Sequence, residues 1–462
     1  MIISGNTNIN KVIYSGYTIS KIYACGGSLV WSGDTPSASY RMKIKKIDST
    51  EVISECDGAY SGYPTIYQTE VINIVGGTDI FNSLDQISSI DFGSCPTLSG
   101  AAFGVGSYEN NSITSVTFSN TSIAHLGTSC LSNLKGLTSV AIPDSITSMD
   151  GSVFALSGLR SATIGSGLTE LAGSTFYKTP LRTITVPSGI TVIGERAFDA
   201  CDSMTGITIE GSDVELKAGA FRNCTYLRNF DFSNIKKIGG TAFANDTTLS
   251  SITIPNTTVQ IGDAAFSGCT GIKTAIVQSP ITYVSNYTFA KCTSLSSLTL
   301  SNTVTTLNEG AFSGCTSLSG FNYPNITVFG ANAFNSCTSL ASVNLDNAIN
   351  IGNSAFYNTN LTSVNMPNIE TIGNSAFGSI SGLTSVTIGE YCRTIGINAF
   401  YSVNMPASAL TITCMAVVPP TINSTQNLLG RLNAIYVPSG SVEDYKAADG
   451  WSRYADYIQA IP

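Results

Sequence analysis

Histidine is almost missing from this chain: one residue in 462, with only two tryptophans beside it. A hydrolase triad or a zinc site needs more than that. The single His125 sits in a polar, irregular stretch and reads as a surface or turn residue. Charge is also scarce. Asp, Glu, Lys and Arg make up 11% of the residues, against about 25% in ordinary globular domains. The net charge of −8, without any basic stripe, excludes nucleic acid as a partner, because phosphate binding needs Lys/Arg patches that displace counterions. No run approaches the ~20 apolar residues of a membrane span, so no membrane insertion is expected. The start, Met1 to Asn10, lacks a basic segment followed by an apolar one. That predicts no signal peptide, and hence a soluble protein that does not leave a cell by the standard route. No Cys-x-x-Cys pair offers a metal clamp, and neither a phosphate loop nor a nucleophile elbow appears in a strand–turn–helix setting. Glu210, Asp213 and Glu215 fall in one inter-repeat loop. They lack calcium-loop spacing and read as a solvated loop more than as a carboxylate pair for glycoside hydrolysis. The sequence predicts no enzyme, no cofactor and no metal.

What is present is a phrase that returns every 21 to 23 residues. In its clearest copies it reads Ala-Phe-x-x-Cys-Thr-x-Leu, with its Phe at 154, 176, 198, 221, 243, 266, 289, 312, 334, 356, 377 and 400. Phe103 fits the phrase, and Cys130 stands where a Phe is expected. A fixed period in this range marks a solenoid, in which each repeat buries its apolar face only against its neighbours. Each repeat opens a strand with Leu-x-x-Val-x-Ile, as in Leu249 to Ile254 and Leu295 to Leu300. Alternate residues point inward and the others outward. Pro143, Pro187, Pro255, Pro324 and Pro367 end their strands, since proline cannot donate to a ladder. Ile-Gly then leads into a turn, and the Ala-Phe segment is expected as one helical or 3₁₀ turn on the opposite face. The predicted fold is a repeat solenoid of about fifteen coils of 21–25 residues, with a parallel β-sheet on one face and a small N-terminal β-module.

Six of the 12 cysteines, Cys201, Cys224, Cys269, Cys292, Cys315 and Cys337, stand three residues after the repeat Phe. Stacked strands with parallel Cβ vectors give poor disulfide geometry, and Thr179, Asp246 or Thr359 holds the same place in other copies. The thiols therefore read as small buried fillers. Phe198, Phe221, Phe266, Phe289, Phe312 and Phe334, with Cys269, Cys292 and Cys315, are the expected repeat core.

Texture divides the chain into four parts. Residues 1–36 read as an N-terminal β attachment module, with Ile22, Tyr23, Leu29 and Trp31 as the attachment residues. Residues 37–78 read as a second small β-module with strands at Tyr40 to Ile47, Glu51 to Cys56 and Thr65 to Val75. Residues 79–430 form the solenoid, and 431–462 form the last coil and C-terminal cap, with Trp451 over the open end. Arg41, Lys43, Lys45 and Lys46 cluster in one strand, which reads as a solvated edge that discourages pairing.

The outward position between Val and Ile forms one line along the sheet: Thr117, Ala141, Thr163, Thr185, Thr208, Asp231, Thr253, Ile276, Thr299, Asn322, Asn344, Asn365, Thr387, Thr411 and Tyr436. Threonine suits an exposed strand by its β-branching alone. The line also makes a ladder of hydroxyls and amides able to meet a polymer such as a glycan. Thr253, Thr299, Asn322, Asn344, Asn365 and Thr387 are the candidate binding residues, with Tyr177, Tyr283, Tyr287, Tyr357 and Tyr401 in flanking loops.

The unit Ile-Gly-x-x-Ala-Phe-x-x-Cys-Thr-x-Leu-x-x-Val-x-Ile-Pro resembles the BspA-type leucine-rich repeat. Phe266 to Thr274, Phe289 to Leu300 and Phe312 to Leu318 match it nearly word for word. Ile435 to Ile458 resembles the C-terminal end of many bacterial members. The resemblance implies a right-handed leucine-rich repeat solenoid and adhesion at a bacterial surface, with no catalytic residues. Ile19 to Trp31 resembles instead the short leading module of tail and appendage proteins from phages of gut bacteria, which are released by lysis and need no export signal. The expectation is a phage virion structural protein, a tail or head appendage whose solenoid presents a host-recognition surface. Other virion proteins would bind the N-terminal module, and a host surface protein or glycan the solenoid. A homo-oligomer would suit such an appendage, although no heptad pattern marks one. The alternative is a bacterial cell-surface leucine-rich repeat adhesin.

Overall fold

The computed structural model describes residues 112–118, 123–402, 410–422 and 432–462. It also gives the backbones of six earlier strands, Val12–Tyr14, Tyr17–Ile19, Tyr40–Lys46, Glu51–Cys56, Ile87–Asp91 and Thr97–Leu98. Ile22, Tyr23, Leu29, Trp31, Phe103 and the strand expected at Thr65 to Val75 lie outside the described residues. The chain divides into two compact units, Met1–Leu227 and Arg228–Pro462. Among the described residues each contains a parallel β-solenoid, and each is described by itself.

In the first unit, Tyr40–Lys46 pairs antiparallel with Glu51–Cys56 on one side and with Ile87–Asp91 on the other. Ile87–Asp91 pairs in parallel with Ser115–Thr117, the first coil-to-coil pairing of its sheet. The basic strand is therefore interior to the sheet, not the edge its lysines suggested. Beyond it every coil supplies two short strands. Thr183–Val186 runs parallel to Gly206–Ile209, with Ile184 and Val186 buried and Thr183 and Thr185 exposed. The second, two-to-three-residue strands, such as Glu170–Leu171, Val192–Ile193 and Val214–Leu216, stack in a sheet of their own. Glu215 is thus a strand residue, not a loop residue as expected, and its carboxylate pairs with Lys217 at 2.9 Å.

In the second unit the longer strands build three parallel groups. Ser251–Ile254, Thr274–Val277 and Ser297–Leu300 form one, and Gly320–Phe321 with Ser342–Val343 another. The third comprises Ser363–Met366, Ser385–Ile388, Leu410–Cys414, Leu432–Val437 and Ile458–Ala460. The second strands from Tyr283–Val284 to Thr421–Ile422 make one continuous seven-stranded parallel sheet.

The core of each unit is the space between these two sheets and the Phe turn. Leu, Val and Ile fill it from the strands, and the repeat Phe rings stack through it. Phe154, Phe176, Phe198 and Phe221 stack at 5.2–5.7 Å within 12° of parallel in the first unit. In the second unit the column runs from Phe243 to Phe400 at 5.1–5.6 Å within 10°. Ring spacings above the ~4.8 Å strand repeat fit an offset stack, the arrangement that the ring quadrupole favours. Phe198, Phe221, Phe266, Phe312 and Phe334 are fully buried, and Phe289 is 1% exposed.

The Ala-Phe segment is neither helical nor 3₁₀ among the described residues. The residues two before and two after the Phe take left-handed backbone, as at Arg196 (φ 56°) and Ala200 (φ 58°) around Phe198. The alternation turns every second N–H toward the next coil: Arg196, Phe198 and Ala200 donate to the carbonyls of Ala218, Ala220 and Arg222 at 2.7–2.9 Å. A continuous helix would point those donors along its own axis and leave the neighbouring coil's carbonyls unpaired. The same pattern places Leu131, not Cys130, at the early Phe position. Leu131 is flanked by left-handed Ser129 and Asn133, and its N–H donates to Val153 at 3.0 Å.

At the C-terminal end Ile435 pairs with Ile458. A short helix, Val442–Ala447, carries Tyr445 inward, where it meets Trp451 edge-on at 5.1 Å. Trp451 is 1% exposed, and its indole N–H donates to Pro420 at 2.8 Å.

Candidate binding surface

A strand whose alternate residues are buried must hold the others in solvent, and parallel pairing in register lines them up. Thr253, Ile276 and Thr299 stand directly opposite one another, as do Asn365, Thr387, Thr413 and Tyr436. Thr253, Thr299, Asn322 and Asn365 are exposed, and Asn344 and Thr387 half-buried. Thr411 does not belong to this line. Pairing sets Thr411 beside Ser385 and Ala434 and gives its expected place, opposite Thr387 and Tyr436, to Thr413. Asn344 is committed locally: its Oδ1 accepts the Asp346 N–H at 3.1 Å, and its Nδ2 lies 3.2 Å from the Asp346 carboxylate. The candidate residues thus do not form one sheet: Thr253 and Thr299 lie in one and Asn365 and Thr387 in another, while Asn322 and Asn344 follow directly after the two-residue strands Gly320–Phe321 and Ser342–Val343.

Of the tyrosines, Tyr283, Tyr287 and Tyr357 are exposed, and Tyr177 and Tyr401 half-buried. Tyr177 packs beneath Arg196 and Lys178, at 4.8 and 5.2 Å from its ring centre. Tyr287 donates its hydroxyl to the Glu309 carboxylate, which raises the phenol above its ordinary pKa. Tyr226 and Tyr391, passed over by the sequence reading, are more exposed than any of these.

The second strands hold the feature that sequence reasoning missed. Their outward residues run in register as Tyr283, Thr306, Val328, Asn350, Thr371, Thr394 and Thr421. Over the last coils these residues and the following Gly-Asn pairs line a shallow groove of about 640 Å³. Its floor is glycine for steric reasons. A Cβ at Gly373 would lie 2.6 Å from the Asn353 nitrogen and 2.8 Å from its Oδ1; at Gly396 it would lie 2.4 and 2.7 Å from the same atoms of Asn374. Removing that Cβ lets a side-chain ladder form. Asn353 Oδ1 accepts the Asn374 N–H, and Asn374 Oδ1 accepts the Ile397 N–H, each at 2.8 Å. The signal was legible as Ile-Gly-Asn in two consecutive copies, Ile351 to Asn353 and Ile372 to Asn374.

Ionisable groups serve structure. The Asp199 carboxylate is buried and held by Arg222 at 2.7 Å, Arg196 at 2.8 Å and Asn223 at 3.0 Å. Burial pushes its pKa up, but the hydrogen bonds from Arg222, Arg196 and Asn223 outweigh burial and hold it below the ordinary value. Each of the six repeat thiols donates to the carbonyl of the Phe one coil back, at 3.0–3.3 Å. His125 is a strand residue beside the next coil's Ser148, at 2.8 Å from Nδ1, and Asp150, at 3.6 Å from Nε2. The longer separation exceeds a hydrogen bond, and the trio lies on an open strand face, with the His125 and Asp150 side chains 32% and 49% exposed. Among the described residues no cluster of three His, Cys, Asp or Glu could hold a metal ion, and no helix is long and apolar enough to cross a membrane. The surface can therefore offer hydroxyls, amides and tyrosine rings in a repeating pattern.

Comparison with known proteins finds leucine-rich repeat chains. The solved structures include a leucine-rich repeat protein from Bacteroides ovatus, 17% identical, covering 93% of this chain and 100% of its own, with a TM-score of 0.49. The pneumococcal vaccine antigen PcpA is 15% identical over 87% of this chain and 98% of its own, with a TM-score of 0.44. A leucine-rich cell surface protein from Faecalibacterium prausnitzii is 19% identical over 77% and 95%, with a TM-score of 0.36. No curated protein matches the sequence. The BspA type leucine rich repeat region matches in six copies, over residues 77–205, 214–341 and 325–417. With more than half of its residues inside that match, the chain belongs to the BspA-type leucine-rich repeat family.

Proposed function

We propose that this chain is an adhesion-type repeat protein presented at a bacterial surface, a non-catalytic scaffold that binds through its outward strand faces. The observation that carries this reading is the polar ladder. Thr253 and Thr299, and Asn365 and Thr387, are held outward in register by strands whose inward residues are buried. Contacts of this kind are weak singly and add along a repeat array. Bacterial surface adhesion is also what the family resemblance implies.

The finer reading, a phage virion appendage docked through residues 1–36, rests on the resemblance of Ile19 to Trp31 to phage appendage modules. The two readings place the protein differently, so immunogold microscopy with antibody against the solenoid separates them. Gold on bacterial envelopes, with none on particles from a lysate, is the expected result. Gold at a fixed place on phage particles overturns it in favour of the virion. Adhesion itself is tested by Thr299→Arg and Asn365→Arg in the full chain. Loss of cell binding with unchanged thermal unfolding supports the strand face, and unchanged binding removes it.

A further inference from the structure

We infer that the groove over the last coils of the second sheet, lined by Asn350, Asn353, Thr371, Asn374 and Thr394, is a binding site for a neutral, linear oligosaccharide. The inference rests on the adhesion reading and adds a ligand class and a place. Three observations carry it. The first is preorganisation. The Oδ1 atoms of Asn353 and Asn374 are each occupied by a backbone N–H of the next coil at 2.8 Å, which fixes both amide groups. Both residues are exposed, so each presents its Nδ2 as a donor held in one orientation without further loss of rotamer freedom. The second is charge. The groove is lined only by Asn, Thr, Gly, Ile and Ala. It offers a sulfated, phosphorylated or amino-bearing ligand no ion pair, while its hydroxyls and amides both donate and accept, as a sugar hydroxyl does. The third is repetition. Thr371 and Thr394 stand in register on adjacent strands, and Asn353 and Asn374 follow their own strands in the same way. Equivalent groups therefore recur at the ~4.8 Å strand repeat, which suits a chain of like units laid across the coils. A peptide would use apolar side-chain pockets or an open strand edge. The strands under the groove are paired on both sides from Asn350–Ile351 to Thr394–Ile395.

Asparagine-to-aspartate variants test this, because a carboxylate keeps the acceptor for the next coil's N–H and replaces the amide donor by a negative charge that a neutral sugar cannot pair. The full chain is titrated by calorimetry with neutral hexasaccharides: β-1,4-glucan, β-1,3-glucan, β-1,4-xylan and α-1,6-mannan. A hyaluronan hexasaccharide and an unstructured peptide of similar length serve as the other probes. The expected result is binding of at least one neutral hexasaccharide, weakened about fivefold or more by Asn353→Asp and by Asn374→Asp, with unchanged thermal unfolding. Thr394→Trp, which fills the groove, abolishes it. Binding of hyaluronan or the peptide in preference, no binding of any hexasaccharide, or affinities unmoved by all three variants overturns the assignment. Thr299→Arg on the other sheet separates the two claims. Cell adhesion lost with Thr299→Arg, with hexasaccharide affinity unmoved by Asn374→Asp, leaves the adhesion reading standing and sinks the groove. Hexasaccharide binding lost with Asn374→Asp, in a chain that never adheres to cells, does the reverse.

Discussion

The thiol of Cys315 donates to the carbonyl oxygen of Phe289, one coil earlier, at 3.1 Å. The same bond links Cys292 to Phe266 and Cys337 to Phe312. Where Thr stands instead of Cys, at Thr179 and Thr359, the hydroxyl bonds the Phe carbonyl of its own coil. The cysteine thus ties two coils together through a carbonyl at the turn.

Burial pushes the thiols of Cys201 and Cys337 up to about 12 and those of Cys292 and Cys315 well above their ordinary value. Thiolate is the reactive form, so these groups are expected to be silent. In a variant with Cys25, Cys56 and Cys95 changed to Ser, the nine remaining thiols, all buried, should not react with Ellman's reagent at pH 8 while folded. All nine should titrate in guanidinium. Reaction of the folded chain at the rate of a free thiol would show the ladder to be open.

Glycine after the second strand is a packing requirement. Gly373→Ala drives a methyl to 2.6 Å from the Asn353 backbone nitrogen, and backbone cannot move aside as a flexible side chain can. The substitution should cost about 1–3 kcal/mol, read as a lowered urea midpoint. Gly206→Ala is the matched control. It lies in a strand, and nothing stands within 4 Å of an added Cβ. It should be neutral or stabilise by about 0.5 kcal/mol, through the unfolded chain. Equal losses at both positions would refute the steric account.

The columns at Phe266 and Cys269 and the inward Val/Ile of each strand were legible because they repeat, and a solenoid core is a repeat read end-on. The left-handed turns were not. Glycine marks them at Gly219, Gly268, Gly310 and Gly314, but Arg196, Ala200 and even β-branched Thr241 hold the same backbone elsewhere, so the coil-to-coil hydrogen bonds override local preference. Thr411 was misplaced for a related reason. Leu410-Thr-Ile412 copies the strand phrase, yet the pairing continues to Cys414 opposite Ile388, and only the partner strand reveals the shift. The groove of Asn353 and Asn374 escaped notice because its strands are two residues long, too short for alternation to show.

Asp199 predicts an acid-sensitive contact in the first unit. Its folded pKa lies below the ordinary carboxyl value, so its contribution is fully present above about pH 4 and is lost as pH falls through the depressed folded value. Asp199→Asn removes the charge that Arg196 and Arg222 share. It should cost on the order of 2 kcal/mol at pH 7, and the difference from the parent should shrink as the pH falls below 4. A gap that stays constant from pH 7 to pH 2.5 would mean that the carboxylate is not the group responsible.

The last prediction concerns the C-terminal end, where an uncovered coil exposes core and a strand edge. Trp451 and Tyr445 close it. The Trp451 indole N–H reaches Pro420 at 2.8 Å, and the Tyr445 hydroxyl reaches Ala416 at 2.8 Å. Trp451→Ala removes a fully buried side chain and should cost about 3–5 kcal/mol. Trp451→Phe keeps ring packing against Tyr445 but leaves the Pro420 carbonyl without its donor, a smaller loss of about 1–3 kcal/mol. Deletion of residues 431–462 should be worse than either, because the strand Leu410–Cys414 then loses its pairing with Leu432–Val437 and its edge can recruit other chains. Light scattering during refolding distinguishes these cases. A soluble truncated chain that unfolds cooperatively would show that the coils before residue 430 close themselves.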